Sequence, residues 1–101
     1  MKINYMKFSI LIPVYNEKDY ILEVLKRVNE QKKQFDLEII VSDDGSTDGT
    51  KEILKNNSKL FDYFLDEGVN QGKGVAVNKA IKQASGDYIL IQDADLEYNP
   101  E

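Results

Sequence analysis

The sequence of 101 residues contains no cysteine and no histidine, and only two prolines. Without cysteine and histidine, the chain forms no disulfide, no thiolate nucleophile, no zinc site built on Cys and His, and no catalytic triad built on imidazole. Any chemistry must therefore use carboxylates, lysine, hydroxyls, amides or a bound metal.

Basic residues are outnumbered and long hydrophobic runs are missing. Thirteen Lys and Arg against eighteen Asp and Glu give a net charge of −5, the wrong sign for neutralising a nucleic-acid backbone, so we expect no nucleic-acid partner. The apolar stretch at residues 10–15 is far shorter than the roughly 20 residues of a membrane-spanning helix. Composition, at 42% hydrophobic and 31% charged, is that of an ordinary globular domain.

Hydrophobic periodicity alternates regularly between strand-like and helix-like segments. Near-continuous apolar runs, typical of strands covered on both faces, predict four strands at residues 8–14, 37–42, 60–65 and 88–92, the third of them an edge strand. Helical spacing lies between these runs. The predicted elements therefore alternate as βαβαβαβ over one domain, residues 1–101.

Cap residues predict where the helices begin and end. Asn16 is placed to cap the first helix, and Ser46, Thr47 or Asp48 the second. Gly86 is placed as the C′ residue of the third, whose apolar stripe is predicted to be Val77, Ala80, Ile81 and Ala84.

No hairpin signal interrupts this order, which predicts a Rossmann-like, three-layer α/β fold with a parallel sheet and right-handed crossovers. The expected strand order is 3-2-1-4. This order leaves the fourth strand at an edge, with Ile89 and Ile91 poorly covered, and predicts self-association through that edge.

Polar residues follow each predicted strand, and ligands of open α/β sheets bind beyond the carboxyl ends of the strands. Asp44 is placed to accept from a nucleobase N–H or a ribose hydroxyl, or simply to favour a helix N-terminus. The run Gly72-Lys73-Gly74 offers backbone N–H groups and one ammonium at a helix start, which suits a diphosphate, or else makes a tight turn.

Two further carboxylates follow the fourth strand. Asp93 and Asp95 are separated by one residue, so in an extended chain they point the same way with α-carbons roughly 6.5–7 Å apart. Hard oxygen ligands at this spacing suit Mg²⁺ or Mn²⁺. The alternative is a pair of solvated turn aspartates.

Taken together, these motifs resemble family 2 glycosyltransferases of the GT-A fold, most closely the branch that charges polyprenyl or dolichyl phosphate with mannose or glucose. The resemblance is carried by residues 12–17, 41–50, 70–74 and 85–95. It implies a nucleotide site formed by Pro13, Tyr15, Glu17, Asp44, Lys73 and Asp93. It also implies a divalent cation, Mg²⁺ or Mn²⁺, held by Asp93, Asp95 and Glu97.

The implied activity is metal-assisted, inverting transfer of a sugar from a nucleotide-diphospho-sugar to a lipid phosphate or a saccharide. Glu97 stands where many lipid-phosphate members have glutamine, and Asn99 where aspartate or histidine is common. The family's catalytic domain continues well beyond this length, so we expect a truncated, donor-binding half that is inactive alone. Catalytic residues of the acceptor half are not assigned, and the parent protein is expected in the cytoplasm or at the cytoplasmic face of a membrane.

Two other interpretations remain open. A non-catalytic nucleotide-sugar binding module would retain every one of these motifs. A phosphoacceptor receiver domain also clusters aspartates at strand ends, but it places an acidic pair after its first strand, where this chain has Tyr15, Asn16 and Glu17.

Overall fold

The structure is a computed structural model that describes residues 3–94, with side chains described from residue 6 onward. Its strands are β1 (Ile3–Val14), β2 (Phe35–Asp43), β3 (Tyr63–Asp66) and β4 (Tyr88–Ile91), and its α-helices are α1 (Ile21–Glu30), α2 (Thr50–Asn56) and α3 (Lys73–Gln83). Two short 3-10 helices, Gln31–Lys33 and Ser58–Leu60, lie within the connections.

The four strands form one parallel sheet in the order β3-β2-β1-β4. At its centre, Ile10 of β1 is paired with Ile39 of β2 on one side and Leu90 of β4 on the other. The predicted α/β class and strand order are confirmed.

Both faces of the sheet are covered by helices, which is why its central strands read as continuous apolar runs. On one face, Ile21 and Val24 of α1 and Leu54 of α2 join the inward side chains of β1 and β2 in the main core. On the other, Leu11 and Ile40 pack with Ala80 of α3. The core is thus centred on β1 and β2, the two interior strands.

The first helix begins later than the sequence indicates, so the prediction that Asn16 caps it is wrong. Helix α1 begins at Ile21, whereas Asn16 has a left-handed backbone with φ of 53°. Its side-chain oxygen accepts from the backbone N–H of Thr47 at 2.7 Å. Asn16 therefore connects the loops after β1 and β2.

Gly86 is not the C′ residue of α3, which ends at Gln83 with Ala84 as its cap. A Cβ at Gly86 would lie only 2.6 Å from Ser9 Oγ and 2.7 Å from Ser9 N. Glycine is needed here because the turn before β4 packs directly against β1. Helix α3 buries Ala76 and Ala80 and leaves Ile81 exposed, so its predicted apolar stripe is only partly correct.

Strand β3 is shorter and later than predicted, because Leu60 belongs to a 3-10 helix and the strand begins at Tyr63. Asp62, which precedes it, is joined to Ile39 of β2 by its backbone N–H at 2.9 Å and by its carboxylate at 2.7 Å. Within residues 3–94, β3 pairs with β2 alone, as expected of an edge strand.

Among the described strands, β4 forms the opposite edge and pairs with β1 alone. Its four side chains, Tyr88 to Ile91, are between 43% and 53% exposed, so the predicted exposure of Ile89 and Ile91 is confirmed. Self-association through this edge stays a prediction. Within residues 3–94, none of the helices has the length and apolar character needed to cross a bilayer.

Candidate functional site

A cleft of about 650 Å³ opens at the carboxyl ends of the strands, where the strand order reverses between β1 and β4. Its lining includes all six side chains predicted to bind a nucleotide: Pro13, Tyr15, Glu17, Asp44, Lys73 and Asp93. The structure thus brings together residues from four separate segments, and their roles toward a ligand remain predictions.

The loops after β1 and β2 hold each other in place. Besides the bond between Asn16 and Thr47, the Asn16 backbone N–H donates to Ser46 Oγ at 2.9 Å, and the Glu17 N–H donates to Thr50 Oγ1 at 3.0 Å. The segment that carries Tyr15 and Glu17 is therefore fixed by hydrogen bonds to the second loop.

Of the two neighbouring aspartates Asp43 and Asp44, Asp43 is the last residue of β2 and has a structural role. It is fully buried, and its carboxylate accepts from Ser46 N at 3.0 Å and Ser46 Oγ at 2.6 Å. Gly45, which follows Asp44, has φ of +80°, and a Cβ there would overlap the backbone of Val69 and Asn70. The second loop is therefore built for close contact with the segment that follows β3.

Asp44 fastens that segment to the sheet. Its carboxylate accepts from the backbone N–H groups of Gln71 at 2.7 Å and Gly72 at 2.9 Å, and from Asn70 Nδ2 at 3.1 Å. The sequence suggested a ligand contact for Asp44 but not this role, because the partners lie 26 to 28 residues away. The predicted contact with a base or ribose would use the acceptor capacity that these three bonds leave.

Lys73, the first residue of α3, points across the cleft to Asp93. Its Nζ lies 2.6 Å from Asp93 Oδ1, and the two side chains are 61% and 64% exposed. An ion pair this exposed stabilises the fold by at most about 1 kcal/mol. Both groups can therefore exchange partners when a charged ligand enters.

Asp93 is the one predicted metal ligand within the described residues, since Asp95 and Glu97 lie outside them. Across residues 3–94, no three carboxylates or imidazoles come close enough together to hold a metal ion. Asp93 nonetheless fits the predicted role. Its carboxylate is exposed in the cleft and already binds a positive group, the ammonium of Lys73. Oxygen ligands are those that Mg²⁺ and Mn²⁺ prefer.

The N-cap of α2 is Gly49, and no side chain makes a cap hydrogen bond there, so the prediction that Ser46, Thr47 or Asp48 caps this helix is wrong. Asp48 instead precedes the cap and bonds to the first helical residue. Its Oδ1 accepts from the Thr50 backbone N–H at 3.0 Å and from Thr50 Oγ1 at 2.5 Å. Burial acts to raise the pKa of Asp48, but the bonds from Thr50 outweigh it and the pKa is lowered. This carboxylate stabilises the loop that leads into α2 and does not line the cleft.

Comparison with known proteins gives a match over nearly the whole chain. The family model described as "Glycosyl transferase family 2" matches residues 9–101. A poly(ribitol-phosphate) beta-glucosyltransferase of Bacillus spizizenii is 45% identical over 94 residues, covering 89% of this chain and 15% of the relative. A dolichol-phosphate mannosyltransferase of Pyrococcus furiosus is 35% identical over 97 residues, covering 95% and 28%.

Comparison with solved structures also finds glycosyltransferases. A mannosyltransferase of Pyrobaculum calidifontis, solved in complex with GDP-Man and Mn²⁺, superposes with a TM-score of 0.79 at 34% identity, covering 89% of this chain and 28% of that one. The chain thus spans less than a third of the length of these proteins.

The receiver-domain interpretation is wrong, because such domains have the sheet order 2-1-3-4-5 and this sheet has the order 3-2-1-4.

Proposed function

The chain belongs to glycosyl transferase family 2, and from this we propose that it forms the donor-binding part of a glycosyltransferase. In this proposal the longer protein transfers a sugar from a nucleotide-diphospho-sugar to an acceptor. The observation that carries the proposal is the convergence of six predicted residues from four segments on one cleft of nucleotide size. Cavities of about 300–1,000 Å³ are usual for ligands of this kind.

The cleft offers a separate environment for each part of a donor. Pro13 and Tyr15 supply apolar surface beside the carboxylates of Glu17 and Asp44, which can accept from the hydroxyl and N–H groups of a nucleoside. Lys73 stands at the N-terminus of α3, where the helix dipole and the ammonium together favour a diphosphate. We therefore place the nucleoside at the ends of β1 and β2 and the diphosphate beside α3.

Leaving-group stabilisation is the chemistry proposed for the diphosphate end. Bond breaking at the anomeric carbon develops negative charge on the diphosphate, and the ammonium of Lys73 lies where it can stabilise that charge. A bound Mg²⁺ or Mn²⁺ would add Lewis-acid stabilisation, with Asp93, Asp95 and Glu97 as the proposed ligands. Lys73 would then leave Asp93 for the diphosphate.

We place the acceptor among lipid phosphates and saccharides. The similar dolichol-phosphate mannosyltransferase is named for a lipid phosphate, and the poly(ribitol-phosphate) glucosyltransferase is named for a polymer of a sugar-alcohol phosphate. The proposed stereochemistry is inversion, with the acceptor oxygen attacking from the face opposite the diphosphate. The proposed location is the cytoplasm or the cytoplasmic face of a membrane.

Calorimetric titration with UDP and GDP, each with Mn²⁺ and with EDTA, tests donor binding. We expect one nucleotide to bind in Mn²⁺ and to weaken at least about tenfold in EDTA, the effect of losing one charge-assisted contact. Asp93→Asn should reproduce that loss. Asp36→Asn is the matched control, because it makes the same charge change near the start of β2, at the opposite end of the sheet.

Two results would count against the proposal. Equal affinities in Mn²⁺ and EDTA would remove the metal, and no binding of either nucleotide would remove the donor site. Turnover assays on the longer protein separate the enzyme from a non-catalytic module, because a module would bind the donor and transfer nothing to any acceptor tried.

A further inference from the structure

Glu38 is a buried carboxylate that the proposed chemistry does not use. It lies in β2 beside Ser9 of β1, only 5% exposed, and well away from the cleft lining. Burying a carboxylate is costly unless hydrogen bonds replace its water. The partners of Glu38 therefore indicate what the charge is for.

Those partners all belong to β1 or to the turn that leads into β4. Glu38 accepts from Ser9 Oγ at 2.5 Å, from the Ser85 backbone N–H at 2.5 Å and from Ser85 Oγ at 3.0 Å, and Lys7 Nζ lies 3.6 Å away. Ser9 Oγ in turn accepts from the Gly86 N–H at 2.8 Å. One carboxylate of β2 thus bonds both to β1 and to the turn that leads into β4.

The turn is also held by its backbone. Asp87 N donates to Lys7 O at 2.7 Å, and Lys7 N donates to the Asp87 carboxylate at 2.9 Å. No side chain fits at Gly86 because Ser9 and Lys7 occupy the space. The turn therefore packs against β1 in one position, and Glu38 accepts two of the bonds that keep it there, both from Ser85.

β4 needs such an anchor, because burial of its own side chains does little to fix its register. Register is strongly specified where one face of a strand is buried, and all four β4 side chains are about half exposed. The ring of Tyr88 stacks on that of Phe8 with 5.7 Å between the ring centroids, but Tyr88 is itself 53% exposed. A slip of one residue would move Asp93, two positions beyond β4, by roughly 3.3 Å.

We propose that Glu38 is a positioning residue. It holds the Ser85–Asp87 turn against β1, so that β4 pairs with β1 in the correct register and Asp93 lies in the cleft. The proposal rests on the donor-binding role of Asp93. It assigns a function at the opposite end of the sheet to a residue that does not line the cleft.

Glu38→Gln in the full 101-residue chain is the test. Glutamine keeps one acceptor oxygen and turns an NH₂ group toward groups that donate. We expect the β4 amides to exchange hydrogen about tenfold faster or more, consistent with the loss of one bond to a charged acceptor, while amides of residues 39–42 in β2 keep their rates. Affinity for UDP or GDP with Mn²⁺ should fall about tenfold.

Glu30→Gln is the control, because it removes the same charge from an exposed helix position and should change neither measurement. Ser85→Ala removes a single hydroxyl and should accelerate β4 exchange in the same direction but less, which keeps the test available if Glu38→Gln does not fold. Equal acceleration in every strand, or unchanged β4 exchange in both variants, would overturn the proposal. If the wild type binds neither nucleotide, the donor site fails, and the exchange rates still decide whether Glu38 holds β4.

Discussion

Asp44→Asn separates two roles that one residue can play, contact with a ligand and support of the Asn70–Gly72 segment. Asparagine has one acceptor oxygen where aspartate has two. With that oxygen at the Oδ2 position, the bonds from Gly72 N and Asn70 Nδ2 survive, and the new NH₂ group faces the N–H of Gln71. At the opposite orientation the bonds from Gly72 and Asn70 are lost instead.

At least one charge-assisted hydrogen bond is therefore lost, at a cost of about 1.5–3 kcal/mol. Because the loss falls on a surface segment and not on the core, we expect it to appear as local opening. The open fraction should rise roughly tenfold to 150-fold.

Hydrogen exchange followed by NMR in the ligand-free chain measures this opening directly. Amides of residues 70–72 should exchange faster in Asp44→Asn by that factor, while strand amides stay protected and Asp36→Asn leaves the segment unchanged. If nucleotide binding is lost but these amides keep wild-type rates, Asp44 acts only on the ligand and the reasoning from its three bonds is wrong.

Three other predictions follow from burial and charge. Leu11→Ala empties a fully buried site between the sheet and α3 and should cost about 2–5 kcal/mol in urea unfolding; a loss below about 1 kcal/mol would contradict it. Ile91→Lys should abolish concentration-dependent dimers in sedimentation runs, and a wild type that stays monomeric at high concentration refutes association through β4. Burial acts to raise the pKa of Glu38, but the bonds from Ser85 and Ser9 and the charge of Lys7 outweigh it, so the pKa lies below 4.5. Its stabilisation is therefore present above pH 4.5 and is lost as pH falls through the folded pKa, so the stability gap between wild type and Glu38→Gln should close in acid, and a constant gap would contradict this.

The sheet and the location of the cleft could be predicted because both depend on pattern and handedness. Buried parallel strands such as β1 read as unbroken apolar runs, and right-handed crossovers then determine the order of the strands. The loops that carry Tyr15, Asp44 and Lys73 follow three successive strands, so they had to meet at one edge.

Contacts between distant segments could not be predicted in this way. The bonds of Asp44 to residues 70–72, and the close approach of Gly86 to Ser9, depend on how the segments lie in space. Asn16 looked like a helix cap because short polar side chains favour both caps and left-handed turns. Asp95 and Glu97, the remaining predicted metal ligands, lie outside the described residues and stay predictions.

The pairing of β1 with β4 also has a kinetic consequence. Ile10 and Leu90 are neighbours in the sheet although 80 positions separate them in the chain, whereas β1 and β2 pair across a much shorter loop. Longer loops cost more entropy to close, and β4 also leaves the ribosome after β1, β2 and β3. The sheet should therefore grow from β1 and β2 outward, and the cleft should be completed only when β4 docks. If the proposed donor site is correct, nucleotide binding would report that β4 has docked, because no earlier intermediate brings together all four segments that line the cleft.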